Sequence, residues 1–428
     1  MRKENIFSGR TTMTRQLLVG ASLLFVLPFL ALAEELPRGE ASSVSIQDDA
    51  ISEATAVLKS EVANGNIAGG MHMVIRHGKV VHFAVEGVGD IEDGRPLKAD
   101  SIMRIYSMTK PITSVAAMTL WQEGAFRLDD PVAKYIPAFK QTKVLVIDGD
   151  AEKMVELERP IIVRDLFRHT AGFTYGTGMP EAFGTHYNRE QILYTERGMF
   201  PPKMSIARAA EGLARIPLLH QPGERFTYGL NVDLLGRLIE IWSEKPLDKY
   251  FKETIFEPLG MHDTGFFVPA NKANRFVSCH GKEEDKLIVV DKAEESPYLS
   301  KPDFLSGGGG LVSTMEDYAR FCQGLVNLGE LDGKRILDES TVRLMFTNQL
   351  APATGSLRFG LGFAIQDISL GSGDHERTAL AYRWGGYANT AFQVVPSEGM
   401  AQVFMRQLIP SNHRVSRKLF PIIYQGTQ

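Results

Sequence analysis

Strand-like runs at the two ends of the chain, with a helix-rich stretch between them, limit the possible folds more than any other feature. Met71 to Ile75 and Val80 to Val85 are apolar-rich runs flanking His77-Gly78-Lys79, a glycine turn that reads as a β-hairpin. Near the end, Tyr382 to Trp384, Thr390 to Val395 and Ala401 to Gln407 are separated by Gly385-Gly386 and by Pro396-Ser397-Glu398-Gly399, the pattern of an antiparallel meander. Phe420 to Tyr424 reads as a closing short helix. Helical spacing of Ile51, Ala54, Val57, Leu58 and Val62 predicts a helix over Asp48 to Asn64. Further helices are expected over Pro111 to Glu123, Ile161 to Arg168 and Asp233 to Ser243, broken by loops such as Thr170 to Pro180. These elements predict one mixed α+β domain over 48–428. Its antiparallel sheet is built from both termini and flanked by helices, with a mainly helical sub-domain at approximately 125–300. The site is expected between the two parts.

A formal net charge of −4, with no long basic run, offers no electrostatic footprint for a nucleic-acid backbone. With 44% hydrophobic and 23% charged residues, the composition is that of a globular chain rather than a disordered one. The first segment differs: Arg2, Lys3, Arg10 and Arg15 precede the apolar run Leu17 to Leu32, and small residues close it in Ala31-Leu32-Ala33. This is the pattern of a signal peptide over 1–33, cleaved after Ala33, with its start at Met1 or Met13. The run is shorter than the ~20 residues of a spanning helix. A periplasmic or secreted protein with no stable membrane span after cleavage is therefore expected, its residues 34–47 forming a flexible polar leader. Cys279 and Cys322 either pair in an oxidising compartment or stay separate as buried thiols, and spacing does not choose between these. The ten histidines form no HExxH arrangement and no cluster of zinc spacing, so neither a metal nor a cofactor is expected.

Ser107-Met108-Thr109-Lys110 stands directly before the helical pattern through Val115, Met118 and Trp121. A serine at a helix start and a lysine three residues later share one face, which brings the amine to the hydroxyl. The helix N-terminus adds a positive potential that favours an alkoxide. Serine alone is a weak nucleophile, and an adjacent amine is one route to its activation. A capping serine followed by a solvated lysine satisfies the same short pattern, so the flanking sequence carries the argument.

Met103 to Thr113, followed by Gly124-Ala125-Phe126-Arg127-Leu128-Asp129-Asp130-Pro131-Val132, resembles the nucleophile region of class C serine β-lactamases and their esterase relatives. In the same order, Arg168-His169-Thr170-Ala171-Gly172-Phe173, Gln221 to Tyr228 and Gly307 to Thr314 are similar to the later landmarks of that superfamily, which includes the penicillin-binding proteins. The resemblance runs from about Ala56 to Pro410 and implies a β-lactamase/transpeptidase-like fold with Ser107 as covalent nucleophile and Lys110 beside it. Tyr228 matches the tyrosine of the family's Tyr-x-Asn motif, a proton relay. Phenols titrate near ~10 and are poor bases at neutral pH, so that role calls for the charge of Lys110 nearby.

Two departures from the β-lactamase pattern matter. Leu230 stands where the amide-holding asparagine belongs, with Asn231 one place further on, and the spacing of Tyr228, Asp233 and Gly236 is like that of the esterase and acyltransferase branch. Trp384-Gly385-Gly386 replaces the Lys-Thr-Gly motif, as in carboxylesterases that resemble this chain, and removes the lysine that attracts a substrate carboxylate. The resemblance implies that Trp384, Gly385 and Gly386 bind substrate, the glycines leaving room against the strand, and that the backbone N–H groups of Ser107 and Tyr387 form an oxyanion hole. His169 is expected to bond within its own loop rather than act as a base. His186 and His375 are assigned to loops without a sharper role.

Together these features predict a serine hydrolase working through a covalent acyl-enzyme, a carboxylesterase on small esters. β-Lactamase, D-aminopeptidase or DD-peptidase, and acyltransferase activities are alternatives with related chemistry; a non-catalytic envelope binding protein is the alternative outside it. The expected partner is a small-molecule ester or amide, with no nucleic acid. Oligomeric state is left open.

Overall fold

In the computed structural model, which describes residues 35–149, 151–176, 181–192, 204–351 and 356–428, strands from both ends of the chain meet in one seven-stranded sheet. The strands are β1 (Gly69–Arg76), β2 (Lys79–Gly87), β3 (Arg358–Phe359), β4 (Ala364–Leu370), β5 (Arg377–Gly385), β6 (Ala391–Val395) and β7 (Met400–Met405). They lie in the order β3-β4-β5-β6-β7-β1-β2, each neighbouring pair antiparallel. The pairing of β1 with β7, which sets Met73 opposite Val403, joins the N-terminal hairpin to the C-terminal meander. Every residue of β1 and β7 is buried, which explains why these runs read as apolar-rich rather than alternating.

Helices cover both faces. On one side α1 (Asp48–Ala63) packs with the C-terminal helix, and Leu58, Val74, Phe404, Leu419 and Ile423 share a core. On the other, Met73, Val403 and Phe392 belong to the main core together with α2 (Thr109–Gln122). Residues 109–120 of α2 are all buried, so this helix has no solvent face. The sub-domain includes α3 (Val163–Phe167) and α4 (Asn231–Ser243), the latter packed on α2. α5 (Met315–Val326) lies against the sheet, and α6 (Ser416–Gln425) closes the chain.

Several expectations are corrected. The segment read as a flexible leader is packed over its described part, 35–47: Leu36, Val44 and Ile46 are buried. Val80 N–H donates to Pro37 O at 2.7 Å, and Gly39 N–H donates to Val80 O at 3.0 Å. These bonds cover part of the edge strand β2, whose unpaired backbone groups need partners; three apolar residues scattered among polar ones hid this in the sequence. The mainly helical region 125–300 also holds the hairpins Val144–Asp148/Ala151–Val155 and Cys279–Glu283/Lys286–Asp291, which were not foreseen. Both are short and largely solvent-facing beyond their first residues, so they lack a buried alternation to read. β3 and β4 have no counterpart among the strands expected from the sequence. Cys279 and Cys322 are separate buried thiols, which removes the disulfide alternative. The signal peptide expected over 1–33, with Glu34, lies outside the described residues. Among the described residues no helix is long and apolar enough to cross a membrane.

Candidate active site

Ser107 sits on a tight turn between a short strand and α2. Met103–Arg104 pairs with Val312–Ser313, and Ile105 N–H donates to Leu311 O at 3.0 Å, fixing the entry to the turn. Tyr106 then adopts φ 43°, a left-handed conformation that costs an aromatic residue energy and persists only where the surroundings enforce it. The enforcement is visible: Tyr106 is buried, with its ring edge-on to Tyr387 at 5.9 Å. Beyond the turn, Tyr318 Oη of α5 donates to Met108 O at 2.9 Å, and Leu311 N–H donates to Thr109 Oγ1 at 3.1 Å. α2 begins at Thr109, two residues earlier than the sequence suggested. Pro111 is tolerated because first-turn N–H groups have no partner within a helix.

Lys110 is carried by α2 into the interior, where it is 1% exposed. Its Nζ donates to Ser107 Oγ at 3.1 Å and to Gly308 O at 2.5 Å. The same nitrogen lies 4.7 Å from the centre of the Tyr228 ring and 5.5 Å from that of Tyr175. Behind it, Asp233 of α4 accepts from Ser306 Oγ at 2.5 Å and from Gly308 N–H at 3.0 Å, so one carboxylate holds the glycine turn whose carbonyl holds the lysine. A Cβ on Gly308 would overlap Asp233 Oδ2, which explains a glycine at that point. Burial pushes the Asp233 carboxyl above its ordinary range, and the charge of Lys110 pulls against that shift. Sequence reasoning used Asp233 only as a spacing marker; its position five residues after Tyr228, together with the glycine run, was the available signal.

Tyr228 lines the same cavity as Ser107, and its hydroxyl has no hydrogen-bond partner among the described residues. His169 is buried beside it, ring centres 4.8 Å apart. Burial, followed by the charge of Lys110, holds the imidazole well below its ordinary pKa. Its Nδ1 meets Asn231 Nδ2 of α4 at 3.1 Å, so its side-chain bond leaves its own loop, contrary to expectation. That bond also decides the position of Asn231, which is buried against His169 and does not line the cavity. Leu230 is buried as well, so neither residue offers an amide there. His186 lies on the helix Glu181–Glu190 and is not part of the cavity wall.

Trp384, Gly385, Gly386 and Tyr387 run past Ser107 at the end of β5 and line a cavity of about 620 Å³. The Trp384 ring is 5.4 Å from that of Tyr228, and its buried Nε1 has no partner among the described residues. Gly386 N–H donates to Thr390 O at 2.8 Å, and Asn389 N–H donates to Gly386 O at 3.0 Å, closing the turn that presents Tyr387. A Cβ on Gly386 would overlap Ile105 O, and one on Gly385 would come within 2.6 Å of His413 Cε1. Close approach to the Ser107 turn and to His413 is thus what these glycines permit, beyond the room for substrate that was expected of them.

A family model described as Beta-lactamase matches residues 54–418. Protein Rv1367c of Mycobacterium tuberculosis is 32% identical over 363 residues, covering 81% of this chain and 87% of its own length. Esterase EstB of Burkholderia gladioli is 27% identical over 284 residues, 63% of this chain and 68% of that protein. Among solved structures, EstCE1, described as a hydrolase with promiscuous acyltransferase activity, superimposes with a TM-score of 0.74. It is 23% identical, over 88% of this chain and 99% of that one, so the likeness establishes a shared fold.

Proposed function

Because the chain belongs to the Beta-lactamase family, we propose that it is a serine hydrolase of the esterase branch, cleaving small carboxylic esters through a covalent acyl-enzyme. The observation that carries this reading is the 3.1 Å bond between Lys110 Nζ and Ser107 Oγ at the wall of the cavity. Ser107 Oγ attacks the ester carbonyl carbon as Lys110 and Tyr228 take its proton. The backbone N–H groups of Ser107 and Tyr387 receive the negative charge that develops on the carbonyl oxygen. The tetrahedral species collapses with release of the alcohol, which regains the proton, and Ser107 is left acylated. Water repeats the sequence in reverse, forming the carboxylic acid and restoring the hydroxyl.

Two features favour esters over β-lactams. Leu230 and Asn231 bring no amide to the cavity, and by resemblance to the family Trp384 stands in place of the motif lysine. A second reading, transfer of the acyl group to an alcohol in place of water, is supported by the likeness to EstCE1. The deciding experiment compares p-nitrophenyl acetate, p-nitrophenyl octanoate and nitrocefin on the protein and on Ser107→Ala. Serine-dependent ester cleavage with little nitrocefin turnover is expected, together with fluorophosphonate labelling that Ser107→Ala abolishes. Nitrocefin turnover comparable to that of the esters would move the assignment to β-lactamase. An added alcohol that diverts product from acid to ester would select the transfer reading.

A further inference from the structure

Away from Ser107 the cavity continues between β5 and α6, and its wall there is cationic. Arg383 of β5 and Arg417 of α6 both line it, and neither side chain makes a hydrogen bond or ion pair among the described residues. Several other arginines have carboxylate partners, as in Arg76 with Glu398, Arg104 with Asp291 and Arg275 with Asp263. His413 stands on the same wall, its imidazole held down to about 4 by burial and then by Arg417, Arg383 and Arg406. Arg406 is buried behind it, with Nη2 on Asn412 Oδ1 at 2.9 Å and Nε without a partner. The carboxylate on this wall, Asp367, is 2.5 Å from Arg358, and nearby Glu61 is bonded to Lys418. Three guanidinium groups thus act on one imidazole; Glu61 offsets the charge of Arg406, and no carboxylate among the described residues pairs with Arg383 or Arg417. Arg383 and Arg417 are also exposed, so a solute reaches them through the groove.

The geometry points to an oxyanion-binding subsite formed by Arg383 and Arg417 within the substrate cavity, selecting substrates that carry a carboxylate or phosphate remote from the scissile carbonyl. Guanidinium forks suit planar carboxylates and phosphates, and the cost of holding like charges together is relieved when such a group enters. Arg383 precedes Gly386 by three residues, about 10 Å along a strand, so the anion sits at the far end of a spacer rather than at the reacting carbon. The subsite deepens the ester-hydrolase reading and rests on it for its role, although anion binding itself is measurable without turnover.

The test starts from Ser107→Ala, titrated calorimetrically with adipate and with inorganic phosphate, alone and combined with Arg383→Gln and Arg417→Gln. At least one anion is expected to bind, with affinity falling at least about tenfold in the double arginine variant and largely kept in Arg383→Lys. Which anion binds more tightly identifies carboxylate or phosphate as the group recognised. With Ser107 intact, mono-p-nitrophenyl adipate should be favoured over p-nitrophenyl hexanoate through KM. The arginine variants should lose that preference while keeping hexanoate hydrolysis and thermal stability. Binding of neither anion, or binding undiminished in the double variant, would overturn the subsite. Anion binding without any ester turnover would instead leave the subsite standing and remove the hydrolase reading.

Discussion

At one end of the cavity Lys110 is buried and bonded to Ser107 and Gly308, within the field of Asp233; at the other, Arg383 and Arg417 are exposed and unpaired. The first arrangement fixes a charged group beside the Ser107 hydroxyl. The second leaves charge available to a solute. Their difference shows how to separate positioned charge from available charge: by whether the protein itself supplies the partners. The Ser107 end is built on a strained Tyr106 and a glycine turn that admits no side chain at Gly308.

The sharpest way to break the comparison is to remove the positioned charge. Lys110→Met should lower kcat on p-nitrophenyl acetate by about 10³-fold or more, given that one group supplies general-base assistance and orientation. A loss of less than tenfold would mean that the buried amine is structural. Tyr228→Phe keeps the ring beside Lys110 and deletes only the free hydroxyl, so kcat should fall by about 10²-fold with little change in melting temperature. A rate within twofold of the parent would take the hydroxyl out of the relay.

Gly308→Ala places a methyl group against the Asp233 carboxylate and should cost about 1–3 kcal/mol in overpacking, read as a lowered denaturation midpoint. Activity should fall with it, because the turn carries the carbonyl that holds Lys110. Normal stability with normal activity would show that the turn has slack. The last effect, spread over the pH scale, concerns two buried histidines. Burial holds His82 at about 4 and His72 well below its ordinary value, so as pH falls from 6.5 the unfolded chain takes up protons that the folded chain refuses. Stability should therefore drop between pH 6.5 and 4, by at most ~1.4 kcal/mol per pH unit for each histidine. Asp317, raised to about 6 by burial, acts with the opposite sign: the folded state takes up its proton first, and stability is gained as pH falls below 6. His82→Gln should flatten the dependence of melting temperature on pH over this window. An unchanged slope would remove His82 from the account.

How much was legible follows from range. Ser107 and Lys110 were readable because three residues across the turn that leads into a helix place two side chains on one side, a local rule that burial did not alter. The hairpin β1–β2 and the meander β5–β7 were readable from turns and apolar runs, and their union into one sheet from the position of those runs at both ends. The packed segment 35–47 was not readable, because its stability comes from pairing with the edge strand β2 rather than from its own pattern. Likewise, Asn231 carries no mark in its spacing that His169 will hold it away from the cavity.

By itself the sequence determined the mixed fold and the Ser107–Lys110 pairing, through short-range periodicity and turn chemistry, while the replacement of the third motif by Trp384-Gly385-Gly386 was read from the resemblance to the family. Tertiary structure alone decided that Asp233 supports the turn behind Lys110, that Gly386 is required by Ile105, and that Arg383 and Arg417 share one wall. The physical reason is that charge and close contact act through space, between residues that the folding of β5 against α6, and of α4 against α2, brings together from distant parts of the chain.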